Sequence, residues 1–392
     1  MLTRRGFLAA GAAVAASPAW GVDPPGPRSM LRLRELPGPV TIEQVQRLQT
    51  PAGGLVRVIA GGEAGVVKAN SRLGVAPGML DRLVTPYFVG KDARDLERLV
   101  DGVYFDRDSR GSVYKFAGMP FWNAIAHVEA ACFDLLGRRA GVSAAELLGG
   151  RRRETVDVYI SQFGRETTAE QEVDTALRDL HRTAARATKL KVGLRMRNSA
   201  AQAKRDRQMV RLFRGRAPDV TLYVDANGSY RPDEAIEMGR FLDDHGVTLF
   251  EEPVPWEDQA GTASVTAALR DRAIAVAGGE QDSSLWTWQA MAAERRLDVL
   301  QPDVMYNGGL IRCLRVAKMA AVAGLPVTPH CPKALPEAAA TRQLLAVVEG
   351  LGPFQEARSF GRVKDGRVEL PDGPGLGVDH AAYRLGEATV LS

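Results

Sequence analysis

From about residue 155 to about residue 360, short apolar runs alternate with longer amphipathic stretches. The runs are "VDVYI", "TKLKV", "VTLYVD", "VTLFEE", "IAVAGGE", "DVLQPD", "LPVTPH" and the weaker "GPFQEAR". Between them, apolar residues recur at helical spacing over 199–216, 232–245, 283–295, 308–323 and 334–350. Several of these stretches open on Ser, Asp or Pro and close on Gly, as helix ends do. Strand alternating with helix at this length predicts parallel βα units.

Polar residues near the strand ends carry the period most clearly. Asp225, Glu251, Glu280, Asp303, His330 and Glu356 are separated by 26, 29, 23, 27 and 26 residues, close to the ~30 residues of one βα unit. Eight such units close into an α/β barrel, whose C-terminal face gathers one strand-end residue from each unit around a single pocket. An open doubly wound sheet would spread them along an edge instead.

Residues 30–150 have another texture. "GLVRVIAGGEAGVVKA" reads as a hairpin, and 92–104 and 119–137 read as helices, the second ending at Gly137. This predicts a separate α+β domain ahead of a barrel over 151–360. The turn-rich tail, 361–392, is expected to return and pack on that first domain.

Residues 1–29 stand apart as a leader and linker. "TRRGFLAAGAAVAASPA" joins a twin arginine to a short apolar stretch and a small-x-small ending at Ser17 and Ala19, the pattern of a twin-arginine export signal. Its apolar run, Phe7 to Ala16, is about half the ~20 residues of a spanning helix. The mature protein is therefore expected in the periplasm with no membrane partner. Without Arg4 and Arg5 the formal charge falls from +4 to +2, no footprint for nucleic acid. Cys132, Cys313 and Cys331 have neither the count nor the spacing of a disulfide framework or zinc site, and read as reduced core residues.

Carboxylates that converge on one spot repel each other unless a cation neutralises them. Asp225, Glu251 and Glu280 are all oxygen ligands, a set suited to Mg²⁺, with positions left open for a substrate carboxylate. Taken singly, each acid is as readily a helix cap or a surface charge. Alternate residues of a strand share a face, so Lys189 and Lys191 both point into the barrel mouth, where paired ammonium groups beside a divalent ion shift towards lower pKa and general-base chemistry. Asp303 and His330 end adjacent strands, and an Asp that holds an imidazole orients it and favours its protonated form.

In this order "KLKVG", "YVDANGSY", "FEEPVP", "AGGEQ", "LQPDVMYNGGL" and "TPH" resemble the enolase superfamily, and within it the mandelate racemase subgroup. "AHVEAACFDLLGRRAGVSAAELLGG" is similar to the family's junction between capping domain and barrel. The resemblance implies a (β/α)7β barrel under an N-terminal α+β capping domain, with Mg²⁺ on Asp225, Glu251 and Glu280 stabilising the ene-diolate formed when a carboxylate substrate loses its α-proton. It makes Lys191 the base on one face, Lys189 its neighbour at the substrate carboxylate, and His330 with Asp303 the acid/base on the other face. Glu356 falls where a carboxylic acid hydrogen-bonds the developing oxyanion, and Asn227 lines the metal site. In this family the capping loops set specificity, which makes Arg72, Arg110 and Tyr114 candidates for substrate hydroxyls or a distal carboxylate. The expected reaction is dehydration of an acid sugar to a 2-keto-3-deoxy acid; the alternatives are racemisation or epimerisation of a 2-hydroxy acid, or an exported sugar-acid binding protein without catalysis. The resemblance also implies a homo-oligomer.

Overall fold

The computed structural model describes residues 31, 33, 36–106, 113–359 and 361–392. The export motif at 1–19 and Arg110 lie outside the described residues. Among the described residues, no helix is long and apolar enough to cross a membrane.

The N-terminal unit is an antiparallel sheet, β1 Gln44–Thr50, β2 Gly53–Ala60 and β3 Glu63–Lys68, packed against the helix Met119–Ala140. The hairpin read at 54–69 is the β2–β3 pair, turning at Gly61 and Gly62. Nearly every side chain of the helix from Phe121 to Gly137 is buried, because the helix lies between the sheet and the barrel and has no wet face. Its end differs from the sequence expectation: Gly137 is interior, and the helix runs to Ala140 with Gly141 as the left-handed cap at φ 70°. The glycine at 137 serves close approach instead. A Cβ there would stand 2.7 Å from the Gly375 backbone and 2.7 Å from the Val142 carbonyl oxygen.

The barrel follows as β4 Thr155–Ser161, β5 Ala187–Lys191, β6 Thr221–Asp225, β7 Val247–Glu251, β8 Ala275–Gly278 and β9 Val299–Leu300, each parallel to the next. β10 Gln355–Ala357 pairs with β4 and closes the ring. The seventh strand, read from "LPVTPH", is reduced to a bridge from Val327 to Leu300 and Leu351. Pro326 and Pro329 flank that bridge and have no N–H for a ladder. Three backbone bonds hold its course: Leu300 N–H to Pro326 (3.1 Å), Thr328 N–H to Leu300 (2.9 Å) and His330 N–H to Pro302 (3.2 Å).

Tyr159, Ala187, Tyr223, Leu249, Ala277 and Val299 form one buried layer inside the barrel. Because inward positions alternate, the residues two further along point inwards at the next level up, which delivers Ser161, Lys189, Asp225, Glu251 and Gln301 to the mouth.

The tail does more than pack on the first unit. β11 Val363–Lys364 and β12 Arg367–Glu369 form a hairpin whose second strand pairs antiparallel with β4 of the barrel. Beyond it, Leu376 N–H and His380 Nε2 reach the Asp134 carboxylate at 2.9 and 2.7 Å. β13 Thr389–Val390 then joins the edge of β1.

Candidate active site

The parallel register puts Lys191, Asp225 and Glu251 side by side at the ends of β5, β6 and β7. Glu280 lies two residues past β8, beyond Gly279 at φ 101°, where a Cβ would meet the Trp288 ring at 2.3 Å. Two non-glycine residues at the mouth are also left-handed, Asn227 at φ 43° and Glu252 at φ 40°. Such backbone costs about 1–3 kcal/mol each and persists where its surroundings hold it.

One network joins the strand-end residues. Lys189 Nζ lies 2.7 and 2.8 Å from the two Glu251 oxygens, 3.0 Å from Glu356 Oε1 and 4.0 Å from Asp225 Oδ2. The Lys191 ammonium pairs with Asp225 Oδ2. Asp303 Oδ2 stands 2.8 Å from His330 Nδ1, and Asp303 Oδ1 accepts the N–H groups of Met305 (2.7 Å) and Tyr306 (3.1 Å). His330 Nε2 lies 3.1 Å from Glu280 Oε2 and 3.9 Å from Glu356 Oε2, which also accepts the Cys331 N–H at 3.0 Å. Lys191 and His330 stand on different sectors, with β4 and β10 between them one way round the barrel and β6 to β9 the other.

As arranged, two groups carry charge states other than those expected beside a divalent ion. Burial alone pushes the Lys189 ammonium towards lower pKa, but Glu251, Glu356, Tyr159 and Asp225 more than reverse it and leave it raised. Lys189 is held charged by its acids, and its neighbouring lysine does not prevail. Glu356, expected as a carboxylic acid that donates a hydrogen bond, is held ionised here. Burial would raise it, yet Lys189, His330 and Lys191 bring it down to about 2. As arranged, it is an acceptor.

His330 goes the other way. Burial lowers it, but Glu280, the Asp303 hydrogen bond and Glu356 carry it up to about 10. Asp225, which burial would raise, is held well below the usual carboxylate range by Lys191 and Lys189. Burial lifts Glu251 to about 7 and raises Glu280 and Glu252.

Asp225, Glu251 and Glu280 are not a ready-made ligand set as they stand. Among the described residues, no three His, Cys, Asp or Glu side chains converge closely enough to hold an ion. The reason is local: Lys191 sits on Asp225, Lys189 on Glu251, and His330 on Glu280. The donor chemistry nevertheless fits a hard divalent cation, since every acid offers oxygen and, with Glu252, Asp303 and Glu356 counted, the carboxyls outnumber Lys189, Lys191 and His330. Glu252 adds a buried Oε1 with no hydrogen-bond partner. Asn227, expected to line the metal, has its oxygen occupied by Arg165 Nη2 at 2.5 Å and turns its NH₂ towards Asp225 and Glu252, at 3.2 Å each.

The capping-loop candidates separate. The Arg72 guanidinium lies 4.3 Å over the Tyr306 ring, itself 6.1 Å from the His330 ring. Tyr114 is 56% exposed, with the Lys115 ammonium 6.0 Å over its ring, and no contact among the described residues ties it to the strand ends.

Several site residues escaped the sequence reading. Gln301 donates to Glu251 Oε2 at 2.6 Å, and the buried Ser161 hydroxyl, in register with Lys189, has no partner. Both obey the alternation that exposed Lys189 and Lys191, so period two was the available signal. Arg165 and Glu252 carried none: one lies on a loop, and the other depends on a backbone turn.

The chain is similar to known proteins over most of its length. A family model described as "Enolase C-terminal domain-like" matches residues 171–383. D-galactarolactone cycloisomerase of Agrobacterium fabrum is 29% identical over 315 residues, 75% of this chain and 79% of that protein. Arabinonate dehydratase of Saccharolobus solfataricus is 30% identical over 262 residues, 64% of each chain. The structure of a mandelate racemase/muconate lactonizing protein from Paracoccus denitrificans, complexed with magnesium, superposes with a TM-score of 0.80 at 26% identity, covering 90% of this chain and 99% of that one. With the strand-end lysines, carboxylates and Asp–His pair gathered at the mouth of a capped barrel, the chain belongs to the enolase superfamily, among the mandelate racemase and muconate lactonizing proteins.

Proposed function

We propose that this enzyme dehydrates an acid sugar to a 2-keto-3-deoxy acid. The observation that carries the reading is the His330–Asp303 pair facing Lys191 across the carboxylate-lined mouth. Asp303 at Nδ1 fixes the imidazole so that Nε2 is the proton-bearing tip turned to the site. Lys191, which pairs with Asp225 as the site stands, must leave that partner to take the α-proton on its amine. The β-carbon–oxygen bond breaks, its oxygen takes the proton from His330 Nε2 and leaves as water, and the resulting enol becomes the 2-keto acid. Lys189, held charged, would meet the substrate carboxylate. Asp225, Glu251 and Glu280 would hold Mg²⁺, which when bound supplies Lewis-acid stabilisation of the charge that develops there.

Names of relatives support the coarser reaction class, since one is a dehydratase and another a cycloisomerase. Racemisation is the second reading, because groups on two sectors can also serve an inversion. Arg72, beside Tyr306, is proposed to meet the far end of the substrate. The leader is proposed to direct export.

The test is a screen of acid sugars with Mg²⁺ in D₂O, scored for 2-keto acid and for deuterium at the α-carbon. Keto acid supports dehydration, and deuterium with inversion and no keto acid moves the assignment to the racemase. Tight binding of an acid sugar with neither outcome leaves a binding protein.

A further inference from the structure

We infer that Arg165 is a positioning residue for the Asp225 carboxylate, acting through the amide of Asn227; this rests on the reading of Asp225 as a Mg²⁺ ligand. Arg165 lies on the loop after β4. Its Nη1 donates to the carbonyls of Val192 and, at 3.0 Å, Gly193, just past Lys191, and its Nη2 donates to Asn227 Oδ1 at 2.5 Å. The Asn227 NH₂ then faces Asp225 Oδ2 and Glu252 Oε2 at 3.2 Å each, and its backbone N–H donates to Asp225 Oδ1 at 2.7 Å. One guanidinium thus ties together loops or strand ends belonging to β4, β5, β6 and β7.

The chemistry of Arg165 and Asp225 leaves the amide a single orientation. A guanidinium only donates and the Asp225 carboxylate, paired with Lys191, only accepts, so the Asn227 oxygen must face Arg165 and its NH₂ must face Asp225. A turned amide would present its oxygen to the Asp225 carboxylate and its donors to a donor. Arg165 therefore decides which way Asn227 points, and Asn227 decides how Asp225 is held. The left-handed backbone of Asn227, which places its N–H on Asp225, belongs to the same arrangement.

Two physical effects of Arg165 on a cation at Asp225 have opposite signs, which makes the role decidable. As a positive charge near Asp225, Arg165 disfavours a second cation, so its removal by charge alone tightens Mg²⁺ binding. As the anchor of the amide it pre-orients a ligand, and removal of such supporting contacts typically weakens metal binding about 10–100-fold. Lysine keeps the charge but has no planar fork to bridge Asn227 and the two carbonyls at once.

The experiment is calorimetric titration of the metal-stripped full chain with Mg²⁺, without substrate, for wild type, Arg165→Met and Arg165→Lys, with melting temperatures of the metal-free proteins alongside. The expected result is weaker Mg²⁺ binding in both variants, by about 10–100-fold for methionine. Unchanged or tighter binding by Arg165→Met overturns the inference. If the methionine variant melts before it can be titrated, wild-type affinity in Arg165→Lys overturns it instead. A wild-type chain that binds no Mg²⁺ overturns both the inference and the metal reading beneath it, whereas wild-type binding that the variants match overturns the inference alone.

Discussion

His330 Nδ1 stands 2.8 Å from Asp303 Oδ2, and this contact fixes which nitrogen of the imidazole faces the barrel mouth. His330→Asn removes the proton donor and leaves Lys191 in place. Formation of keto acid should fall by about 10²–10⁴-fold, the range for loss of a general acid. Exchange of the α-hydrogen with solvent should persist, because that step belongs to Lys191. Mass spectrometry of substrate recovered from D₂O checks this. Loss of both signals together would place His330 at the α-carbon.

Arg72 reaches the site from the first unit and stacks 4.3 Å over Tyr306. Its partner among the described residues is thus a ring and not an acid, which leaves the guanidinium's hydrogen-bonding edge for a substrate. A charge-assisted hydrogen bond contributes about 1.5–3 kcal/mol. Arg72→Met should therefore lower kcat/KM about 10–100-fold for a six-carbon diacid, with little change for the matching monoacid. Equal losses on both substrates would sink the distal-carboxylate role.

Much of this architecture was written in the period of the strand-end residues. Asp225, Glu251, Glu280, Asp303, His330 and Glu356 were legible because each follows an apolar run and because a barrel must return to its rim at every unit. The seventh strand was legible as a position but not as a strand, since Pro326 and Pro329 suppress the ladder while backbone bonds keep its direction. Charge states were less accessible. Lys189 stays charged because Glu251 and Glu356, distant in sequence, close on it. Arg165 and Glu252 depend on loop paths and a left-handed turn that no pattern of apolar residues encodes.

The misread glycine gives a stability test. At Gly137 a methyl group would stand 2.7 Å from backbone atoms of Gly375 and Val142, which cannot rotate away as a flexible side chain can. Gly137→Ala should destabilise the fold by about 1–3 kcal/mol, as overpacking does. Gly215, exposed in the helix Ala200–Arg216 with nothing within 4 Å of an added Cβ, is the contrast. Gly215→Ala should stabilise by about 0.5–1 kcal/mol through helix propensity. Urea unfolding of the two variants compares them directly, and a neutral Gly137→Ala would contradict the close packing of the tail on that helix.

His127 predicts a pH dependence whose sign can be worked out. The side chain is buried in the helix Met119–Ala140, with Nδ1 2.7 Å from the Asn123 carbonyl and Nε2 accepting the Asn70 N–H at 3.2 Å. That donor–acceptor pair requires the neutral ring. Burial drives its pKa down to about 4, against the opposing pull of the Asn123 carbonyl and Asp303. The unfolded chain takes up the proton near pH 6.5, so between those two values it binds more protons than the native state does. Stability therefore falls as pH drops from about 6.5 towards 4, and this residue contributes no slope above that window. At pH 5 the loss amounts to about 2 kcal/mol, taking 1.36 kcal/mol per pKa unit. In His127→Gln the same two bonds are available to an amide that does not titrate. The difference in unfolding free energy between pH 7 and pH 5 should then be smaller than in wild type by about that amount, and equal differences in the two proteins would show that His127 is not the neutral latch that holds the Asn70 turn.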